Sequence, residues 1–422
     1  MNWTDSEKIA AILVDLGMNM VASLEDADVL IVNTCSVRQR AEDKVYGLAR
    51  RVAIRKKHHP RFRVVMTGCM AQRIQRSGCS ERIDRKYISN LRRKMPWVDE
   101  ILPIGEYSKL SDIVGRTLPL RTGYSSYVTG TQMNNSSFQA YVPITSGCNN
   151  FCSYCIVPYT RGSEVHRDSA EIITQVVDLI DKGYCLITFL GQNVNSWIGE
   201  VDGRPARFHD LLRCILELPG DYWITYLTSH PKDYTDELAK VHLHPKMCQY
   251  ISLPVQSGST TVLNAMNRGY TREMYLDTVK MIRDICPSIR LSTDIIVGFP
   301  GEREEDFAQS LSLIETVGYG MVYIAEYSPR PPAASVSLKE TVSKEEKSRR
   351  RVLLEEAQRR SMRRNNESYV GRTIRVLVTG PSSGITHDLR EIQFNDICKV
   401  GSFTDVLVTD SSASGLVGSI SV

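Results

Sequence analysis

No run in this 422-residue chain approaches 18 consecutive apolar residues, so none of it reads as a membrane-spanning helix. The opening, Met1 to Glu7, has neither a basic n-region nor an apolar h-region, and so gives no sign of a secretory signal. A surplus of one charge is also lacking. The 52 Lys and Arg against 48 Asp and Glu leave a net charge of +4, too mild to identify a polyanion partner from the total alone. What is present, 42% apolar and 24% charged residues, is the balance of a globular protein long enough for two or three domains. The 11 cysteines are mostly scattered, which fits reduced cytoplasmic thiols together with metal ligands rather than a disulfide framework.

Three of those cysteines are not scattered. Ser146-Gly147-Cys148-Asn149-Asn150-Phe151-Cys152-Ser153-Tyr154-Cys155 carries a C-x3-C-x2-C spacing. Three thiolates on one loop can hold three irons of a cubane cluster and leave the fourth open, whereas clusters held wholly by protein take four. An open position on a metal centre is where a substrate or cofactor binds. Half of a zinc site and a disulfide loop are the other readings. Zinc would need a fourth ligand, and His166, the nearby candidate, lies outside the usual spacing. The stretch resembles the radical S-adenosylmethionine superfamily, in which the cofactor's methionyl amine and carboxylate chelate the free iron. The resemblance makes Cys148, Cys152 and Cys155 the ligands of a [4Fe-4S] cluster and sets Tyr154 against the adenine.

The first 115 residues read as an α/β domain. Apolar residues recur at helical spacing over Ser6–Leu16, and Gly17 is a natural stop. Asp28–Thr34 is a short buried strand ending at Cys35, with a helical segment following to about Lys57. Arg63–Gly68 repeats the design and ends at Cys69. In open parallel sheets ligands bind beyond the carboxyl ends of strands, so two thiols delivered there by successive strands point to a site. Asn33-Thr34-Cys35-Ser36-Val37-Arg38 and Gly68-Cys69-Met70-Ala71-Gln72-Arg73 are similar to the Rossmann-like amino-terminal domain of the radical methylthiotransferases. That family carries a second [4Fe-4S] cluster on three cysteines, the first in a Gly-Cys-x-Met-Asn segment. This chain opens at Met1-Asn2, and the expectation is a start placed too far downstream or a truncated chain. The rival is a genuine two-cysteine, incomplete second cluster. Cys79, in Ser77-Gly78-Cys79-Ser80, matches no family position.

Residues 116–137 are rich in Gly, Ser, Thr and Asn and read as a linker. From 138 to 340, strand candidates at Ala140–Ile144, Leu186–Leu190, Trp223–Thr228, Gln249–Leu253, Arg290–Val297 and Met321–Tyr327 alternate with helices such as Ala170–Asp181, Met274–Cys286 and Glu304–Val317. Six β/α units are fewer than the eight of a closed barrel. The resemblance implies a partial (β/α)6 barrel. Polar loops follow the second, fourth and fifth strands, at the face where such barrels place chemistry. By resemblance Gln192, Ser257, Gly298, Pro300 and Gly301 line the S-adenosylmethionine pocket, and Arg268 meets its anionic end.

Residues 341–366 read as a charged helical connector. Residues 367–422 alternate like strands and resemble the small β-barrel, of the TRAM type, that binds RNA at the end of the methylthiotransferases. His387-Asp388-Leu389-Arg390 stands where that module has a Gly-Arg turn. Two basic runs, Arg50–Arg63 and Lys344–Arg364, fit an RNA partner. The resemblance implies methylthiolation of N6-isopentenyladenosine at position 37 in the tRNA anticodon loop. Electrons would come from a partner such as flavodoxin or ferredoxin, and a monomer in the cytoplasm is expected. The threonylcarbamoyladenosine branch, the ribosomal-protein aspartate branch, and an RNA-binding protein with a decayed sulfur site are the alternatives.

Overall fold

The computed structural model describes residues 1–36, 39–76, 89, 92–115 and 136–420. Cys79 and nearly all of the 116–137 linker lie outside them. The chain forms two compact units: Met1–Asn135 with Ser146–Val165 and Ser328–Val336, and Ser136–Thr145 with His166–Tyr327 and Ser337–Val422.

In the first unit, strands Val29–Thr34, Arg63–Gly68 and Glu100–Ile101 form a parallel sheet in that order. Side chains alternate across it. Val65 packs with Ile9 and Ile12 of helix Asn2–Asp15 and with Leu16, which caps it, while Val64 and Met66 pack with Val45, Val52 and Met70 on the other face. The helix after Cys35 is two helices, Gln39–Tyr46 and Ala49–His58, rather than one reaching to Lys57. The break falls at Gly47-Leu48, where Leu48 N–H turns to Val45 O at 3.1 Å; glycine is a poor helix-interior residue.

The second unit holds the six expected strands. Gln139–Pro143, Leu186–Leu190 and Trp223–Tyr226 pair in parallel, as do Tyr250–Ser252, Arg290–Val297 and Met321–Glu326. A parallel bridge between Ile224 and Met247 joins the triplets, so the strands run in sequence order around an incomplete barrel. Every strand therefore points its carboxyl end the same way. Among the crossover helices, Ser169–Asp181 and Arg272–Ile285 start on side-chain caps: Asp168 takes Glu171 N–H, and Thr271 takes Met274 N–H. The apolar faces of the crossover helices bury Ile172, Val176, Leu211, Tyr275 and Leu313 against Ile187, Phe189, Ile224 and Ile295 of the strands.

The tail is a closed five-stranded barrel filled by Val376, Val378, Ile392, Phe394, Val406, Val408 and Leu416. It rests on the amino ends of the core strands. The Phe403 ring is 4.8 Å from Trp223, and Arg290 Nη1 donates to Leu389 O at 2.7 Å. In the His387–Arg390 turn, Leu389 takes the left-handed φ of 60°. Arg390 is buried there, 2.7 Å from Asp388 and over the Tyr369 ring at 4.6 Å, so this arginine braces the barrel from inside. Much of the Lys344–Arg364 run is also used internally. Lys347, Arg349, Arg350, Arg351 and Arg360 pair with Glu340, Glu304, Glu302, Glu326 and Glu315, fastening helix Lys344–Glu367 to the core. In the Arg50–Arg63 run, Arg50, Arg51, Lys57, Arg61 and Arg63 are exposed.

Candidate active site

The three-cysteine loop is built by its glycine and by the strand that returns beside it. Gly147 has φ 81°, and a Cβ there would lie 2.1 Å from Ser163 O. Cys148 N–H donates to Gly162 O at 3.1 Å, and Asn149 Oδ1 accepts Glu164 N–H at 3.1 Å. Phe151 takes φ 45°, a left-handed conformation uncommon outside glycine, and turns the chain between the first two thiols. Cys155 N–H closes on Cys152 O at 2.9 Å, and helix Val157–Arg161 follows at once.

The thiols already receive the hydrogen bonds that metal-bound sulfur uses. Asn150 Nδ2 donates to Cys148 Sγ at 3.4 Å, and Val157 N–H to Cys155 Sγ at 3.5 Å. Burial pushes the Cys148 thiol up; the Asn150 hydrogen bonds oppose this, and the neighbouring Cys152 adds to it. Such a site favours the neutral thiol until a metal displaces the proton. Among the described residues no three His, Cys, Asp or Glu converge as on a single ion. A cubane asks instead for one thiolate per iron. The donor set fits a cluster.

Cys35 and Cys69 each follow the last residue of one of two paired strands. Thr34 pairs in register with Gly68, so the cysteine after each stands at the same level of the sheet. Gly68 is required there: its φ is 86°, and a Cβ would lie 2.3 Å from Thr34 O. Burial raises the Cys69 thiol, Arg161 lowers it, and Cys35 is close enough to raise it further. Arg161 ends the helix that leaves the three-cysteine loop. Its Nη2 lies 2.7 Å from Asp5 Oδ2, with both side chains buried. One ion pair thus ties the loop's helix to the first helix of the chain and sets a cation beside Cys69. No sequence pattern marks this pair, because 156 residues separate its members.

The remaining expected residues sit at the carboxyl ends of the half-barrel strands. Gln192 is half-buried after the second. Ser257 is fully buried after the fourth, where its hydroxyl accepts Ser259 N–H at 3.2 Å. Arg268 is buried, giving Nε–H to Tyr270 Oη at 2.9 Å and Nη2–H to Pro254 O at 2.8 Å. After the fifth strand, Gly298 and Gly301 have φ of 72° and 90° around buried Pro300. Lys347 Cγ would lie 2.3 Å from a Cβ on Gly298. Glu302 holds this loop, accepting Gly298 N–H at 2.6 Å and Arg350 Nη1–H at 2.7 Å. Neither Glu302 nor His230, in Thr228-Ser229-His230-Pro231 after the third strand, is marked by a spacing rule. Their placement just beyond a strand end was the available signal.

Residues 142–314 match the Radical SAM superfamily model, and residues 1–88 match that of the uncharacterized protein family UPF0004. The solved radical S-adenosylmethionine methyltransferase TsrM from Kitasatospora setae superposes with a TM-score of 0.53. It covers 78% of this chain and 66% of its own at 12% identity, a likeness of fold. The tRNA-2-methylthio-N(6)-dimethylallyladenosine synthase of Clostridium novyi (strain NT) is 38% identical over 100% of this chain and 94% of its own length. That of Geobacter sulfurreducens is 38% identical over 100% and 95%. That of Bacteroides fragilis (strain YCH46) is 38% identical over 99% and 93%. A full-length match at this level shows that the chain belongs to the family of the tRNA-2-methylthio-N(6)-dimethylallyladenosine synthases.

Proposed function

We propose that this protein converts N6-dimethylallyladenosine, also named N6-isopentenyladenosine, to its 2-methylthio form at position 37 of tRNA. The observation that carries the reading is the presence of two thiol sets in one unit: Cys148, Cys152 and Cys155 on a single loop, and Cys35 beside Cys69 at two strand ends. Full-length similarity to relatives of that name supports it.

Replacing an unactivated C–H bond by C–S–CH3 is beyond any side-chain acid or base. An iron–sulfur cluster with S-adenosylmethionine supplies the one-electron chemistry when bound. The chain's own part is to hold and orient. Cys148, Cys152 and Cys155 would hold one [4Fe-4S] cluster, with Asn150 and the Val157 amide hydrogen-bonding its thiolates. Cys35 and Cys69 would hold the second, with Arg161 offsetting its negative charge. The Gly298–Gly301 backbone, Gln192, Ser257 and Arg268 would contact the cofactor. The exposed arginines and lysines of Arg50–Arg63 would meet the RNA backbone, where cationic side chains position without reading sequence. The reductant would be a flavodoxin- or ferredoxin-like protein, and the chain would act as a cytoplasmic monomer. No helix among the described residues is long and apolar enough to cross a membrane.

Mass analysis of tRNA nucleosides from a strain lacking the gene tests the substrate. The expected result is loss of the 2-methylthio-isopentenyl nucleoside with accumulation of its unthiolated precursor. Unchanged isopentenyl nucleosides, with loss of the threonylcarbamoyl thiomethyl nucleoside or of the ribosomal-protein modification, would favour the other branches.

A further inference from the structure

Ser36, the residue after Cys35, is wholly buried, and its Oγ has no hydrogen bond. A buried hydroxyl left unmet is costly, and native folds seldom keep one without a use. The hydroxyl two residues earlier shows the contrast. Thr34 Oγ1 donates to Thr67 O and accepts Met70 N–H at 3.0 Å, so it ties the two strand ends together. No described group meets the Ser36 hydroxyl in that way.

The backbone of Ser36 shows where the hydroxyl stands. Burial raises the Cys69 thiol, while the Arg161 charge and a hydrogen bond from the Ser36 backbone N–H pull it down. Ser36 thus follows one thiol in the chain and reaches the sulfur of the other. Covalent geometry keeps a serine Oγ within about 4 Å of its own nitrogen in every rotamer. The hydroxyl therefore lies beside the Cys69 sulfur, one residue from Cys35, and is closed off from water.

The chemistry of that position narrows what the hydroxyl can meet. A neutral thiol is only a weak acceptor, whereas the sulfur of a metal-bound cysteine or of a cluster carries negative charge. Beside such sulfur a hydroxyl donates, and a bond to a charged acceptor is stronger than a neutral one. We propose that the Ser36 hydroxyl donates a hydrogen bond to a sulfur of the iron–sulfur cluster on Cys35 and Cys69, and raises its reduction potential. The proposal rests on the second cluster put forward above. The reduced cluster is more negative by one electron, so the donor stabilises it more than the oxidised form. Hydrogen bonds to sulfur are among the influences that set such potentials.

The test is a redox titration, followed by electron paramagnetic resonance, of the full chain carrying Cys148→Ala, Cys152→Ala and Cys155→Ala. After anaerobic reconstitution, any cluster in this parent belongs to the Cys35–Cys69 set. Adding Ser36→Ala is expected to shift the one-electron equilibrium about tenfold toward the oxidised cluster, a fall of ~59 mV. Ser36→Thr, which keeps the hydroxyl, should stay near the parent. The iron-free chains give a second readout, which stands even if Ser36→Ala does not take up the cluster. Without metal the hydroxyl has no strong acceptor, so Ser36→Ala should hold or raise the urea midpoint. An unchanged potential in Ser36→Ala overturns the hydrogen bond and leaves the second cluster standing. An equal fall in Ser36→Thr also overturns it, because the effect would then follow shape. A lowered urea midpoint in iron-free Ser36→Ala overturns it as well, since the hydroxyl would already have a partner in the protein. A parent chain that takes up no iron overturns the second cluster itself, and this role with it.

Discussion

Arg350 Nη1 stands 2.7 Å from Glu302 Oε2, with the arginine side chain 6% and the glutamate 1% exposed. The same carboxylate oxygen accepts the Gly298 amide. The long connector helix thereby reaches the backbone of the fifth strand-end loop. Burial raises the Glu302 carboxyl, while Gly298 N–H and Arg350 pull it back. Breaking a buried pair from one side strands the other charge, which costs on the order of 3–5 kcal/mol. Arg350→Met is expected to lower the unfolding free energy measured in urea by that amount. Glu302→Gln, which still accepts from Gly298, should lose less. If Gly298–Gly301 frames the cofactor, Glu302→Ala should also weaken S-adenosylmethionine binding more than its stability loss accounts for. Equal binding in a folded Glu302→Ala variant would separate this loop from the cofactor.

The two thiol sets predict separable defects. Cys148→Ala removes one of three anchors and is expected to abolish 5′-deoxyadenosine formation. Cys69→Ala leaves that loop intact, so cofactor cleavage should persist while thiolated product disappears. Iron analysis of anaerobically reconstituted protein distinguishes them: a double-cluster enzyme holds about eight irons per chain, and each variant should hold about half as many. Retained cleavage in Cys148→Ala would defeat the ligand assignment.

Arg161 and Asp5 form a second buried ion pair. Arg161→Met leaves Asp5 without its partner, and a loss of about 3–5 kcal/mol is expected by urea denaturation. Because Arg161 also acts on Cys69, the variant should hold less iron on the Cys35–Cys69 set than on the three-cysteine loop. A charge-preserving Arg161→Lys should recover part of both. Uniform iron loss across the two sets would mean that the pair is structural alone.

Local signals made most of the architecture legible. Leu186–Leu190, Arg290–Val297 and Glu304–Val317 were readable to the residue, because buried parallel strands are continuous apolar runs and capped helices have marked ends. The cysteine trio was readable because its members are neighbours in sequence. The internal use of the second basic run was not: Lys347, Arg349, Arg350, Arg351 and Arg360 look solvated until the core's glutamates stand opposite them. The same holds for Arg161 with Asp5. Partners far apart in sequence leave no periodicity to read.

His242 gives a pH dependence with a definite sign. Its Nδ1 lies 2.7 Å from Cys248 O, an atom that can only accept, so Nδ1 carries the proton. Nε2 is then the acceptor for the Tyr226 hydroxyl at 2.8 Å. Burial lowers this imidazole from 6.5 to about 4. A histidine that resists protonation when folded binds fewer protons in the native state than in the unfolded one. Stability therefore rises with pH through this window: it is lost as pH falls from about 6.5 toward 4, and this group contributes no slope above 6.5. The slope approaches ~1.4 kcal/mol per pH unit for one such group, with His230 adding its own over the same range and lower. His242→Gln should remove one proton's worth of that slope in urea titrations run between pH 4 and 7. An unchanged slope in a folded His242→Gln variant would mean that this histidine takes up its proton in the native state as readily as in the unfolded chain.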